Sequence, residues 1–152
     1  MKMSSCRLGL LAVIAVVFAD DATRVDREKR SSAELTALTI KYIGWSGARR
    51  LNGYGCYCGI GKRGNRAVDA IDRCCQAHDR CYDAGTAGSI WRRQCKIDFK
   101  FVPYSYRCSG SSCYCRNSSS SCAGKACRCD IRFLQCVKSN WHRYNPRNKG
   151  RC

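Results

Sequence analysis

The stretch DAIDRCCQAHDRC, residues 69–81, places one histidine, an aspartate directly after it and three cysteines on about three turns of a predicted helix. Four side chains have the i, i+3, i+4, i+7 spacing of a single helix face, namely Cys75, His78, Asp79 and Tyr82. The adjacent cysteines predict that this helix face is buried. A charged carboxylate beside a histidine is seldom needed for structure on a buried face, so the pair favours a functional role. The stretch therefore predicts an active site on a helix.

A second cysteine pair, Cys129 and Cys136, repeats the seven-residue spacing found on the first helix, which is about two turns along one face. Two antiparallel helices could be joined by two disulfides, and Asp130 would then lie close to His78. A buried carboxylate there could accept a hydrogen bond from the imidazole and fix its tautomer. The spacing permits this pairing, but fourteen cysteines allow many other connectivities. The two disulfides would be Cys74–Cys136 and Cys81–Cys129.

The first thirty residues have the features of a cleaved leader. Lys2 and Arg7 precede an uncharged apolar run at 8–19, which is the layout of a secretory signal peptide. This run is too short to span a bilayer, and Ala19 suits the position before a cleavage site. Residues 20–30 end in a dibasic sequence of the kind cut by furin-like proteases. The sequence thus predicts a signal peptide at 1–19, a pro-segment at 20–30, a single domain at 31–152 and secretion.

The predicted domain is strongly basic. Removing residues 1–30 leaves 22 basic and 7 acidic residues, a net charge of +15. Such a field attracts anionic membranes or heparin-like glycans, and secretion argues against nucleic acid as the partner. A basic but inert solvated surface is the alternative interpretation.

Cysteine usage agrees with export. Fourteen cysteines remain when Cys6 is removed with the signal peptide, and this even number permits seven disulfides. Zinc binding is the competing interpretation of so many thiols. It is disfavoured because the predicted compartment is oxidising and the chain has only two histidines.

The stretch YGCYCGIGKRG, residues 54–64, is a glycine-rich loop that contains two cysteines. Glycines allow a loop to turn its carbonyl oxygens inward, and a hard cation such as calcium takes several oxygen ligands at about 2.3–2.6 Å. Asp79 could add carboxylate oxygens. Glycine-rich disulfide loops are usually structural, so this loop indicates a metal site only beside the histidine and aspartate of the helix.

Several motifs in this chain resemble those of the secreted phospholipases A2. They are YGCYCG at 54–59, the pattern VDxxDRCCxxHDxCY at 68–82, YSY at 104–106 and CxCD at 127–130. The resemblance implies a mainly α, disulfide-stapled domain with two long antiparallel helices, a calcium-binding loop and a short β-hairpin. It also implies a calcium-dependent enzyme that hydrolyses the sn-2 ester of glycerophospholipids to a fatty acid and a lysophospholipid at an anionic membrane surface.

The resemblance further implies a role for each site residue. His78 matches the general base that activates water, Asp130 orients its ring, and the amide of Gly59 would stabilise the oxyanion. Tyr82 and Tyr104 match tyrosines that hydrogen-bond the aspartate. One calcium ion per subunit would be held by the carbonyls of Tyr57, Gly59 and Gly61 and by the carboxylate of Asp79.

The disulfides of the family map onto this chain in the same way. One of Cys113 and Cys115 should pair with Cys127, and Cys108 should take the other. The remaining pairs implied by the resemblance are Cys56–Cys152, Cys58–Cys75, Cys74–Cys136, Cys81–Cys129 and Cys95–Cys122.

The chain departs from the family pattern at a few positions. Lys62 stands where a second glycine is usual, and the loop that contains it is longer than in common members, which bears on calcium affinity. Ala67 replaces a common proline, and the segment between Cys81 and Cys95 is extended.

Other segments are less specific. Ser31 and Glu34 fit a capping box ahead of an amphipathic helix. Residues 99–106 are expected to form a short hairpin with the serine-rich stretch that follows. Three tryptophans could form either a membrane-docking rim or part of the core: Trp45, Trp91 and Trp141.

A non-catalytic cationic protein that binds membranes or receptors on the same scaffold is the alternative function. The presence of His78, Asp79 and Asp130 together favours the enzyme, because the aspartate expected to bind calcium is often replaced in inactive relatives. A monomer is the family's usual state and is expected here.

Overall fold

A computed structural model describes residues 33–59, 61, 64–86, 95 and 97–152. The predicted signal peptide, the pro-segment and Ser31 lie outside the described residues, as do Lys62 and Trp91. No described helix is both long and apolar enough to cross a membrane.

Three α-helices form the frame of the described part of the chain: α1 at residues 33–51, α2 at Ala70–Thr86 and α3 at Cys122–Asn140. Helix α2 begins after Asp69, whose carboxylate accepts a hydrogen bond from the amide of Asp72 at 3.0 Å. Helix α3 begins after Ser121, whose hydroxyl oxygen accepts one from the amide of Gly124 at 3.0 Å. Both caps satisfy amides that a helix start leaves without intrahelical partners.

Two disulfides join α2 to α3, Cys74–Cys136 and Cys81–Cys129, with Cα–Cα distances of 5.7 and 5.8 Å. The earlier cysteine of α2 pairs with the later one of α3, so the helices are antiparallel. This is the arrangement that the seven-residue spacing permitted. Such cross-links stabilise a small domain largely by restricting the unfolded chain.

The remaining described cysteines also form disulfides. Cys115 pairs with Cys127 and Cys108 pairs with Cys113, which decides between the two partners that the sequence left open for Cys127. The other three pairs coincide with those implied by the family resemblance: Cys56–Cys152, Cys58–Cys75 and Cys95–Cys122.

A two-stranded antiparallel hairpin lies between α2 and α3, with β1 at Tyr106–Ser109 and β2 at Ser112–Cys115. The expected short hairpin is present, but of residues 99–106 only Tyr106 belongs to it, so the position expected for the hairpin is wrong. The segment instead starts with a 3₁₀ turn at Phe99–Phe101. Phe99 is buried with its ring 5.8 Å from that of Tyr82, because core packing rather than strand alternation decides its position.

The core has two parts that meet along α2 and α3. One part includes Leu38 of α1 and Leu134 of α3, and the other includes Leu51 and Tyr54 beneath the glycine-rich loop. Two of the three tryptophans lie within the described residues. Trp141 is half-buried and packs on the second part of the core, whereas Trp45 is 65% exposed.

Candidate active site

A histidine and a buried aspartate from the two stapled helices are in direct contact. The Nε2 atom of His78 lies 2.7 Å from Oδ1 of Asp130, whose side chain is fully buried, while 12% of the His78 side chain is exposed. Since a carboxylate only accepts, Nε2 carries the proton and donates it in this hydrogen bond. The other ring nitrogen, Nδ1, is therefore unprotonated in the neutral ring and can act as a base.

Two tyrosines complete the surroundings of the buried carboxylate. The hydroxyl of Tyr82 donates to Oδ1 of Asp130 at 2.6 Å, and the hydroxyl of Tyr104 donates to Oδ2. Burial, followed by the negative charge of Asp130, raises the pKa of both phenols far above its usual value. Both hydroxyls thus remain protonated donors, and three hydrogen bonds compensate the burial of one charge.

Aromatic rings hold the imidazole in place. The ring of His78 lies 4.4 Å from the ring of Tyr82 and 4.5 Å from that of Phe133, measured between centroids. Packing on two sides limits rotation of the imidazole about its side-chain torsions. The ring orientation set by Asp130 is therefore reinforced by contacts that the sequence pattern did not reveal.

The histidine opens onto a cavity of about 720 Å³. Its walls are formed by α1, by α2 and by the glycine-rich loop. Leu35, Thr39 and Trp45 of α1 contribute to the lining, so the first helix forms one side of the space. A cavity of this size, with apolar walls and a few polar groups, suits a small-molecule ligand or one chain of a larger one.

The glycine-rich loop and the second candidate carboxylate line the same cavity. Tyr57, Gly59 and Gly61 are lining residues, and so is Asp79, next to His78 on α2. Within the loop the amide of Gly59 donates to the carbonyl of Tyr57 at 3.0 Å. The structure therefore brings together every residue that the sequence singled out for the site, on elements far apart in the chain.

Comparisons with known proteins agree with this geometry. The family model described as Phospholipase A2 matches residues 33–149. The chain belongs to the phospholipase A2 family. The match includes both cysteine-paired helices, the glycine-rich loop and the hairpin.

Individual phospholipases A2 are similar over most of the chain. "Phospholipase A2, membrane associated" of Cavia porcellus is 34% identical over 91% of this chain and 88% of the relative. "Acidic phospholipase A2 E" of Naja oxiana is 41% identical over 65% of this chain and 80% of the relative. "Phospholipase A2 group V" of Mus musculus is 35% identical over 74% of this chain and 76% of the relative.

Phospholipases A2 are generally calcium-dependent and act on phospholipid membranes. Among the described residues no group of three or more His, Cys, Asp or Glu side chains could hold a metal ion. The residues present fit a calcium site built mainly from backbone carbonyl oxygens. One carboxylate, Asp79, lines the same cavity as three loop residues that offer such carbonyls. Such an all-oxygen donor set suits calcium, which binds carboxylates and carbonyls together.

Asp72 is a site-supporting residue that the sequence analysis missed. It is fully buried, and its carboxylate accepts hydrogen bonds from the amides of Cys56, Tyr57 and Val68 at 2.9, 2.8 and 2.9 Å. One side chain on α2 therefore ties the start of the loop to the segment that leads from the loop into α2. Gly55 has a φ of +57°, and a Cβ there would lie 2.3 Å from Cγ of Asp72. The sequence signal was this glycine together with the one aspartate in the first turn of α2.

We expect Tyr104→Phe to lower the free energy of unfolding by about 1.5–3 kcal/mol, the usual contribution of a hydrogen bond to a charged group. The change removes one donor from fully buried Asp130 and leaves the ring in place. Guanidinium unfolding with the disulfides intact measures the effect. Tyr114→Phe is the matched control, because Tyr114 is exposed on β2 and should change stability by less than about 0.5 kcal/mol. Equal losses of unfolding free energy in both variants would show that the hydrogen bond from the Tyr104 hydroxyl to Asp130 adds no stability.

Proposed function

We propose that this phospholipase A2 is a secreted, calcium-dependent enzyme that hydrolyses the sn-2 ester of glycerophospholipids to a fatty acid and a lysophospholipid. The contact between His78 and Asp130 at the wall of the cavity is the observation that supports this most directly. Family membership supports the reaction class, and the residues that we assign to the reaction line the cavity or contact Asp130.

His78 acts as the general base in this proposal. Its Nδ1 takes a proton from water as the water oxygen attacks the ester carbonyl carbon. The imidazolium that forms is stabilised by Asp130, and its proton then passes to the departing glycerol oxygen as the carbonyl–oxygen bond breaks. Positioned proton transfer of this kind contributes about 10²–10⁴-fold to rate. Tyr82 and Tyr104 hold the aspartate and remain protonated throughout.

A calcium ion, when bound, supplies positive charge that polarises the ester carbonyl. We assign its binding to the carbonyls of Tyr57, Gly59 and Gly61 and the carboxylate of Asp79, with one ion per subunit. The amide of Gly59 is assigned to the oxyanion. In the structure this amide donates to the carbonyl of Tyr57, and both residues line the cavity.

An anionic membrane surface is the proposed site of action. The net charge of the domain without residues 1–30 is +15, and Trp45 is exposed while it also lines the cavity. An indole at the mouth of an acyl-sized cavity suits the interface between lipid and water. Secretion with removal of residues 1–19 and 20–30, a monomeric state and affinity for heparin-like glycans belong to the same proposal.

The test is fatty-acid release by oxidised protein, residues 31–152, from vesicles of mixed anionic and zwitterionic phospholipid. We expect release from the sn-2 position with excess calcium and none with a chelator. Release should weaken as salt rises, because screening shortens the reach of the surface charge. The same vesicles without anionic lipid serve as the comparison.

Absence of release from correctly disulfide-bonded protein would contradict the proposal. Vesicle binding without hydrolysis would then favour the cationic binding protein on the same scaffold. Fatty-acid release that persists in chelator would still show a hydrolase, but it would contradict the calcium-binding role assigned to Asp79.

A further inference from the structure

The segment after α3 contacts the glycine-rich loop. We define residues 144–152 as the tail segment. The amide of Gly55 donates to the carbonyl of Asn148 at 3.0 Å, and the amide of Gly150 donates to the carbonyl of Gly53 at 2.8 Å. The tail segment thus pairs with residues 53–55 as a short antiparallel partner. The lining of the cavity, as the structure describes it, includes no residue of the tail segment.

Covalent and packing contacts extend this pairing to the other end of the loop. Cys152 is joined to Cys56, and its sulfur fills the space beside Gly64, where a Cβ would lie only 2.4 Å away. The tail segment is therefore fixed at the start of the loop and packed against the backbone near its end.

A side-chain cluster connects the tail segment to the start of α2. Nδ2 of Asn148 donates to Oδ2 of Asp69 at 2.8 Å and to the hydroxyl of Tyr54 at 3.3 Å. The hydroxyl of fully buried Tyr54 donates in turn to the same carboxylate. Burial alone would raise the pKa of Asp69, but hydrogen bonds from Asp72, Tyr54 and Asn148 outweigh it and lower the pKa. Asp69 is therefore charged at neutral pH.

These contacts bear on the metal because the assigned loop ligands are backbone carbonyls. Their directions depend on the backbone of a loop rich in glycine, which has little intrinsic rigidity. Calcium affinity depends on how rigidly its ligands are held, and a ligand set ordered in advance costs less to assemble on binding. Asp72 holds the loop from α2, and the tail segment holds it through backbone hydrogen bonds and the Cys56–Cys152 disulfide.

We propose that the tail segment, through Asn148 and its contact with Asp69, is a positioning element for the calcium loop and raises its affinity for calcium. The inference rests on the proposed function for the location of the metal site. It adds a determinant of affinity more than eighty residues from the loop in sequence and outside the cavity. Asn148 contacts neither substrate nor metal in this proposal.

Asn148→Asp tests the inference with almost no change of shape. The substitution removes the amide donor and places a second carboxylate against Asp69, so the tail segment and the start of α2 repel each other. We expect the calcium dissociation constant, measured by calorimetry with calcium alone and no lipid, to rise about tenfold, the lower end of the effect of groups that support metal ligands.

Two companion variants separate positioning from charge and from folding. Asn117→Asp adds the same charge outside the tail segment, where the side chain accepts from the amide of Ser105, and should leave the dissociation constant within about twofold. Asp69→Asn combined with Asn148→Asp restores an amide-to-carboxylate hydrogen bond in the reverse direction. Asparagine caps a helix as well as aspartate does, so the double variant should recover most of the lost affinity.

The outcomes are distinguishable from failure of the proposed function. Wild-type protein that binds no calcium would overturn the assigned metal site and this inference with it. Equal calcium affinity in wild type and Asn148→Asp would overturn this inference alone, even if the variant melts at a lower temperature. Lost affinity without recovery in the double variant would also overturn it, since the specific contact with Asp69 would then not be responsible.

Discussion

His78→Gln is expected to reduce the rate of fatty-acid release by about 10²–10⁴-fold, the range that a positioned base contributes. Glutamine keeps a group able to donate to Asp130 and so preserves the buried hydrogen bonds, but it cannot accept a proton at neutral pH. The measurement is initial-rate hydrolysis of anionic vesicles at saturating calcium. Calcium affinity and the melting temperature should stay close to those of wild type.

The chain contains its own control for this experiment. His142→Gln makes the same substitution at the other histidine, which is exposed in the 3₁₀ turn Trp141–Arg143 and contacts Arg143 at 3.3 Å. It should retain full activity. Hydrolysis that survives in His78→Gln at a comparable rate would refute the assigned mechanism, because no other described histidine lines the cavity.

Asp79→Lys is expected to abolish both calcium binding and hydrolysis. The substitution removes the only carboxylate assigned to the ion and places an ammonium group in its position, so Coulomb repulsion replaces attraction. Activity should fall by more than about 10²-fold, the usual cost of losing one electrostatic contribution to oxyanion stabilisation. Calorimetric titration with calcium and vesicle hydrolysis measure the two effects separately.

Asp83→Lys is the matched control for the charge change. Asp83 lies one turn further along α2, is exposed and lines the same cavity, but it is not an assigned ligand. The added positive field should weaken calcium binding by a few fold at most, since exposed charges are screened. Equal losses in the two variants would show that general charge rather than ligation controls calcium binding.

Much of the site followed from spacing along one helix. The i, i+3, i+4, i+7 pattern placed His78 and Asp79 on the face that lines the cavity, because helical geometry acts over a few residues. The seven-residue repeat of cysteines also anticipated the contact between Asp130 and His78, which lie 52 residues apart. A cysteine repeat on each of two helices can predict such a distant contact when disulfides fix how the two helices align.

The family resemblance carried the disulfide pairing further than spacing could. It left Cys127 with two possible partners, because Cys113 and Cys115 are both on β2 and only one residue separates them. The register of the hairpin decides, since Cys113 lies directly opposite Cys108 and pairs with it. The hairpin also begins later than residue 99, at Tyr106, because Phe99 is buried in the core within a 3₁₀ turn.

The sequence by itself determined the active-site helix, its antiparallel partner and the identity of the chemical groups, because these depend on residue type and short-range period. Only the tertiary structure decided how the loop is held, through the amides that bind Asp72 and through Asn148 of the tail segment. Backbone amides and single asparagines have no periodic signature. Their partners are set by how distant segments pack, and in our proposal this packing also sets the geometry of the cation site.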